Sequence, residues 1–394
     1  LFQPEMSQNI ANMSGQVIRD ILKLTQQPDV ISFAGGMPPT DALPHEALRE
    51  ISGLAFEKYG REVLQYGTSE GFLPLREFIV KWMAKKGVKA ELEEVIVTSG
   101  SQQGIDLMAK AFLNQDDRVI MEKPTYLTAI QIFQLYGASF LFGDSDENGI
   151  VPSSLQQISK HSTNKLLYLV PNFQNPTGVT LSQDRRKELP GMMAELKLVL
   201  VEDDPYGDLV YDGNHNGPIK AHDQDQRVVY LGSFSKIISP GLRVGFAVAP
   251  EAIIEKLVIG KQSSDVHTCN LAQAMIYEFC AGGLLEPHLE SLKNQYRKKR
   301  DLMLEVMDRH FPRSVSWNKP GGGLFIWVQL PAGKTAQGLL KEAVKEKVAF
   351  ITGECFYVGG GGSNTLRLNF SNASSAQIEE GISRLGKVMH TYLA

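Results

Sequence analysis

Seven short apolar runs, each followed by a turn or a segment of helical length, constrain this chain most strongly. They lie at 94–98 (EVIVT), 118–121 (RVIM), 139–142, 166–170 (LLYLV), 198–202 (LVLVE), 228–231 (VVYL) and 244–248. Their apolar residues are consecutive rather than alternating, so both faces of each strand are expected to be covered, as in a mostly parallel sheet. Segments at 102–113, 125–136 and 183–196 have the length of crossover helices. The expected fold class is therefore α/β, a central sheet flanked by helices on both sides.

The pattern changes after about Leu284. A long polar helix is expected over 286–310, with Leu289, Leu292, Tyr296, Met303 and Val306 on one face. Pro320-Gly321-Gly322-Gly323 breaks the chain before a strand at 324–330 (LFIWVQL). A helix near 335–347, a strand at 365–369 and a last helix near 376–392 complete a smaller α+β domain. A chain of 394 residues is long for one core, and two domains are expected. The division is an arm at 1–40, a large domain at 41–285 and a small C-terminal domain at 286–394. Gly359–Gly362 does not join a strand to a helix, so it reads as a turn and not as a dinucleotide loop.

Composition narrows the function classes. Forty basic against forty-four acidic residues give a net charge of −4, which offers no electrostatic reason for a nucleic-acid or membrane partner. Cys269, Cys280 and Cys355 fit neither a disulfide framework nor a zinc spacing, so no metal is expected and a reducing cytoplasm is. No apolar run approaches a membrane span, and the first residues lack the basic and apolar stretches of a signal peptide.

Four strand ends carry candidate chemistry. At Thr98-Ser99-Gly100-Ser101-Gln102 a strand passes into a helix, where free N–H groups suit a phosphate. A plain turn with Ser101 as helix N-cap explains it equally well. Gly232-Ser233-Phe234-Ser235-Lys236 follows another strand, with Arg243 seven residues on. Two hydroxyls and a guanidinium fork can hold a phosphate beside an amine able to form a Schiff base, although Ser-Lys pairs are also common on surfaces. Glu202-Asp203-Asp204-Pro205-Tyr206 places acids at the end of a buried strand. They either cap the next segment or hold a protonated pyridine nitrogen. Asn172-Phe173-Gln174-Asn175-Pro176 must turn, and turn formation alone accounts for it, yet Asn175 also brings an amide to the same edge.

Taken together, these motifs resemble those of the fold-type I pyridoxal-phosphate (PLP) enzymes of the class I/II aminotransferases. The resemblance runs from about Asn12 to Met389 and is nearest to the 2-aminoadipate, kynurenine and broad-range aromatic aminotransferases. It implies a PLP-binding large domain and Lys236 as the Schiff-base lysine and proton shuttle. It further implies Asp203 on the pyridinium nitrogen, Asn175 and Tyr206 on the 3′-oxygen, and Tyr126 stacked on the ring. Ser101, Gln102, Ser233, Ser235 and Arg243 would hold the phosphate. Tyr66 would reach that phosphate from the neighbouring subunit of a homodimer with composite sites. Arg367, in Thr365-Leu366-Arg367-Leu368-Asn369, would clamp the substrate α-carboxylate, where the residue alone reads as a surface ion pair. Asn175 and Gly36, in Phe33-Ala34-Gly35-Gly36-Met37, would line the substrate pocket. Arg19, on an expected helix over 15–22, would meet a distal carboxylate or else pair with an acid such as Asp20.

Two positions depart from the family's pattern. Gln16 stands where a small hydroxyl residue is common, and Thr352 replaces a usual proline in an expected loop. The implied reaction is ping-pong transfer of an amino group from an L-amino acid (2-aminoadipate, glutamate, an aromatic or an aliphatic one) to 2-oxoglutarate or another 2-oxo acid. The same scaffold also hosts lyases and decarboxylases, and related domains serve as effector-binding parts of winged-helix regulators. About thirty residues precede Gly35-Gly36, too few for a DNA-binding domain.

Overall fold

The computed structural model describes residues 5–11, 13, 29–158, 164–213 and 216–394. Arg19, Gln16 and the helix expected over 15–22 lie outside them. All seven apolar runs enter one sheet. Numbered along the chain, its strands are β1 (Val95–Thr98), β2 (Arg118–Met121), β3 (Ser139–Phe142), β4 (Asn164–Leu169), β5 (Val199–Asp204), β6 (Val228–Ser233) and β7 (Gly245–Val248). Their spatial order is β1-β7-β6-β5-β4-β2-β3.

Strands β2 to β6 run parallel where they pair, and β7 is antiparallel to both β1 and β6. A short connection, with no crossover helix, joins β6 to β7, and such a link returns the chain antiparallel. Because β1 and β6 both oppose β7, they share one direction. The carboxyl ends of β1, β2, β4, β5 and β6 therefore meet at a single edge, where open α/β sheets bind ligands.

Continuous burial accounts for the apolar runs. Every residue of β1, β6 and β7 is buried, while the edge strand β3 is only partly covered. Helices α1 (Ser101–Phe112), α2 (Leu127–Leu135) and α3 (Gln183–Leu196) supply the cover. Strands β5 and β6 continue two residues past their expected ends, pairing Asp203 with Leu231 and Asp204 with Gly232. Ladder bonds belong to the backbone, so polar side chains do not end a strand.

The C-terminal sheet holds β8 (Ser316–Trp317), β9 (Phe325–Gln329), β10 (Ile351–Thr352) and β11 (Thr365–Asn369) in the antiparallel order β8-β9-β11-β10. Thr352, expected in a loop, instead closes β10. The long helix runs over Leu285–His310 and packs on the last one, Ser375–Leu393. The arm is stitched to the C-terminal region through a separate two-stranded pairing and one bond to β11. Ile31 and Ser32 pair in parallel with Val348 and Ala349, and Asn369 donates its N–H to the Phe33 carbonyl at 2.8 Å. Gly35 and Gly36 thereby arrive beside β11. Among the described residues, no helix is long and apolar enough to cross a membrane.

Candidate active site

A cavity of about 370 Å³ opens at the carboxyl edge of the large sheet, within the range of small-molecule sites. Ser101 and Gln102 line it from beyond β1, Tyr126 from beyond β2 and Asn175 from beyond β4. Asp203 enters from β5 and Tyr206 from just beyond it, and Ser233, Ser235, Lys236 and Arg243 from the end of β6 and beyond it. The arm contributes Gly36 and β11 contributes Arg367. Tyr66 is not among the lining residues. It is 80% exposed and meets His267 edge-on at 5.9 Å, so within one chain it does not reach the cavity.

The turn after β1 is built around close backbone contact. Gly100 occupies the cap position with φ +80°, no side chain caps the helix, and Ser101 is its first residue rather than its cap. Gly245 of β7 presses against this turn. A Cβ there would lie 2.6 Å from both the Gly100 carbonyl carbon and the Ser101 nitrogen, so only glycine fits. Arg243 donates Nη2 to the Ser99 carbonyl at 3.2 Å, which brings a guanidinium to the uncapped N-terminus of α1. Free N–H groups, a helix dipole and a guanidinium make an anion site. The buried Ser233 and Ser235 stand at the end of β6, where the Ser235 N–H donates to Ser233 Oγ at 3.2 Å.

Strand alternation separates the three acids of β5. Glu202 accepts the N–H groups of Ile219 and Lys220 at 2.7 and 2.9 Å. Asp204 accepts from Asn172 Nδ2 at 2.9 Å and from the Tyr230 hydroxyl at 3.1 Å. The fully buried Arg186 donates to Asn172 Oδ1 at 2.7 Å and completes that network. Neither Asp203 nor Asp204 acts as a helix cap. Asp203 points the other way, where Oδ2 accepts the Tyr168 hydroxyl at 2.6 Å and the buried Oδ1 has no hydrogen-bond partner among the described residues. The Ser101 hydroxyl lies close enough to favour the charged form yet makes no bond to Oδ1. Burial raises the Asp203 pKa to about 7, with the Tyr168 bond opposing the rise and the Asp204 charge adding to it. An unsatisfied buried acceptor costs about 1–3 kcal/mol, which a donor in the cavity would recover.

Lys236 Nζ donates to the Gly36 carbonyl at 2.8 Å. Burial, then the charges of Arg367 and Arg243, lower its pKa to about 8. Arg367 is 5% exposed, donating Nη1 to Asn175 Oδ1 at 2.6 Å and Nη2 to the Ala34 carbonyl at 2.8 Å. Its guanidinium carbon lies 4.1 Å from the centre of the Phe325 ring. Burial lowers its pKa to about 10, so it stays charged at neutral pH. Among the described residues it has no carboxylate partner, which overturns the surface ion-pair reading. Asn175 likewise does more than turn the chain, since it braces this arginine.

The family profile described as "Aminotransferase class I and II" matches residues 28–385. This chain belongs to that family. Its members depend on PLP, and this aminotransferase is 42% identical to the 2-aminoadipate transaminase of Thermus thermophilus, over 97% of this chain and 96% of that protein. It is 39% identical to aromatic-amino-acid aminotransferase 1 of Thermococcus litoralis, over 98% and 94%. The crystal structure of the Pyrococcus horikoshii kynurenine aminotransferase, in complex with PMP, matches with a TM-score of 0.94 at 41% identity. That match covers 99% of this chain and 98% of that one.

The residues of this aminotransferase fit PLP. The unpartnered Asp203 Oδ1 suits a ring N–H, the uncapped helix suits a phosphate, and an amine of lowered pKa lies in the same cavity. Residue-by-residue reading missed Tyr168, Phe325 and Phe356. Tyr168 is the polar-tipped side chain in the otherwise apolar run 166–170, and it pairs with Val201, two residues before Asp203. That register puts Tyr168 and Asp203 on the same face of the sheet.

Proposed function

We propose that this aminotransferase moves the amino group of an L-amino acid to 2-oxoglutarate or another 2-oxo acid by a ping-pong route, in a homodimer with composite sites. The observation that carries the reading is the meeting of Lys236, the half-satisfied Asp203 and Arg367, which has no carboxylate partner among the described residues, around one cavity. When bound, PLP supplies an electron sink for the Cα–H bond and carries the amino group between the two half-reactions. Asp203 Oδ1 would hold the ring nitrogen, Tyr206 and Asn175 the 3′-oxygen, and Tyr126 the ring face. Ser101, Gln102, Ser233, Ser235 and Arg243 would hold the phosphate. Arg367 binds the α-carboxylate through its planar fork and so fixes the orientation of the Cα–H bond. As a neutral amine, Lys236 would take the proton from Cα and pass it to the cofactor's C4′ within the same half-reaction, and the reverse transfer would restore a Cα–H bond in the second.

Leu127, Ile351 and Phe356 give the cavity an apolar wall next to Arg367, which supports aromatic and aliphatic donors. A dicarboxylic donor such as 2-aminoadipate or glutamate needs a second cation, the part proposed for Arg19. Relatives named for 2-aminoadipate and for aromatic amino acids support both classes. The KM ratio of 2-aminoadipate to leucine in an Arg19→Ala variant checks that part, and an unchanged ratio removes it. The exposed Tyr66 and its 70% exposed neighbour Leu64 support a partner subunit at that surface. A mass of one chain in sedimentation equilibrium would remove the dimer. The proposed division at 40/41 and 285/286 and a cytoplasmic location accompany this reading, the latter supported by three free cysteines.

Initial rates test the reaction. With 2-aminoadipate or an aromatic donor varied at several 2-oxoglutarate concentrations, double-reciprocal lines are expected to be parallel. Intersecting lines, or release of ammonia or carbon dioxide with turnover, would contradict amino-group transfer.

A further inference from the structure

Behind the phosphate turn lies a charged pair that none of the roles above uses. Helix α4 (Glu251–Gln262) carries Lys261, which is wholly buried, and Asp265 follows in the next turn. Lys261 Nζ donates to Asp265 Oδ1 at 2.9 Å and to Gln103 Oε1 at 2.6 Å. Gln103 lies on the first turn of α1. Its Oε1 also accepts the Ser99 N–H at 2.8 Å, and its Nε2 donates to Asp265 Oδ2 at 2.8 Å. The Ser99 hydroxyl donates to the same Oδ2 at 2.8 Å, and the Ser99 carbonyl accepts from Arg243. Every polar group of Ser99 is thus held, and Ser99 directly precedes the Gly100-Ser101 turn.

We propose that the ion pair between the buried Lys261 and the partly exposed Asp265 is a positioning device for the phosphate end of the cofactor site. It rests on the PLP reading above. Neither residue lines the cavity, so the pair acts through Ser99 and Gln103. Lys261 and Asp265 carry opposite charges, so the pair brings no net positive charge to the phosphate and contributes geometry instead. It keeps the N–H groups of the first turn of α1 and the Arg243 guanidinium on one anion. A buried ammonium is retained only where its hydrogen bonds are made, and here they are made to the residues that fix the turn. Groups that orient the direct ligands of a bound group commonly change its affinity about 10- to 100-fold when removed.

Equilibrium binding of PLP and of pyridoxal, which lacks the phosphate, to apoprotein tests this. In Lys261→Met and Asp265→Asn, PLP affinity is expected to fall about ten-fold while pyridoxal affinity stays within about two-fold. A general loss of packing would weaken both equally, and that result overturns the proposal. Should the buried lysine variant fail to fold, Ser99→Ala removes one link of the same network and is expected to lower the PLP-to-pyridoxal preference in the same direction. A wild-type protein with no preference for PLP over pyridoxal would overturn the cofactor reading itself. A strong wild-type preference kept in full by the variants would overturn this inference alone.

Discussion

Lys236→Ala is expected to slow transamination by at least about 10⁴-fold, the upper range for a positioned acid–base group, since the variant also loses its covalent hold on PLP. The variant should still fold and bind PLP, but without the absorbance of lysine-bound cofactor. Turnover near the wild-type rate would contradict the assignment of this residue. The same amine sets a pH dependence. Burial and two neighbouring arginines disfavour the ammonium and place its pKa at about 8. The neutral amine is the nucleophile, so at pH 7 about one amine in ten is competent. The rate at which apoprotein takes up PLP should therefore rise with pH and be half-maximal near 8. A rate that is flat from pH 6 to 9, or that keeps rising toward the ordinary lysine pKa, would contradict the electrostatics of the cavity.

Arg367→Ala is expected to lower kcat/KM for every amino-acid donor about 100- to 4,000-fold. That corresponds to about 3–5 kcal/mol, the loss when a buried charge pair is deprived of one partner. Arg367→Lys should recover only part, because an ammonium keeps the charge but loses the planar fork braced by Asn175 and the Ala34 carbonyl. The spectrum of bound PLP should stay unchanged in both variants, since Arg367 is assigned to the substrate. A loss below about three-fold in the alanine variant would remove the carboxylate clamp from this residue.

The large sheet was legible because buried parallel strands leave continuous apolar runs, and all seven runs became strands of one sheet. Strands β8 and β10 were not, since two residues carry no periodicity. The antiparallel direction of β7 depends on a connection whose path the sequence does not state. At the site, Ser101, Asp203, Lys236 and Arg243 were legible because each follows or ends a buried strand. Their division of labour was not. Asp203 differs from Asp204 only by strand parity, and Tyr168 reaches Asp203 only through the register of β4 on β5. Arg367 reads as a surface residue until β11 is seen between β9 and β10 with the arm laid across it.

The absorbance of PLP-loaded protein, followed as single amino acids are added without any 2-oxo acid, tests amino-group transfer most directly. Loss of the lysine-bound cofactor band with 2-aminoadipate, glutamate or an aromatic amino acid, and its return on adding 2-oxoglutarate, is the expected result. A band that no amino acid discharges, or one whose loss is accompanied by free ammonia or carbon dioxide, would contradict it.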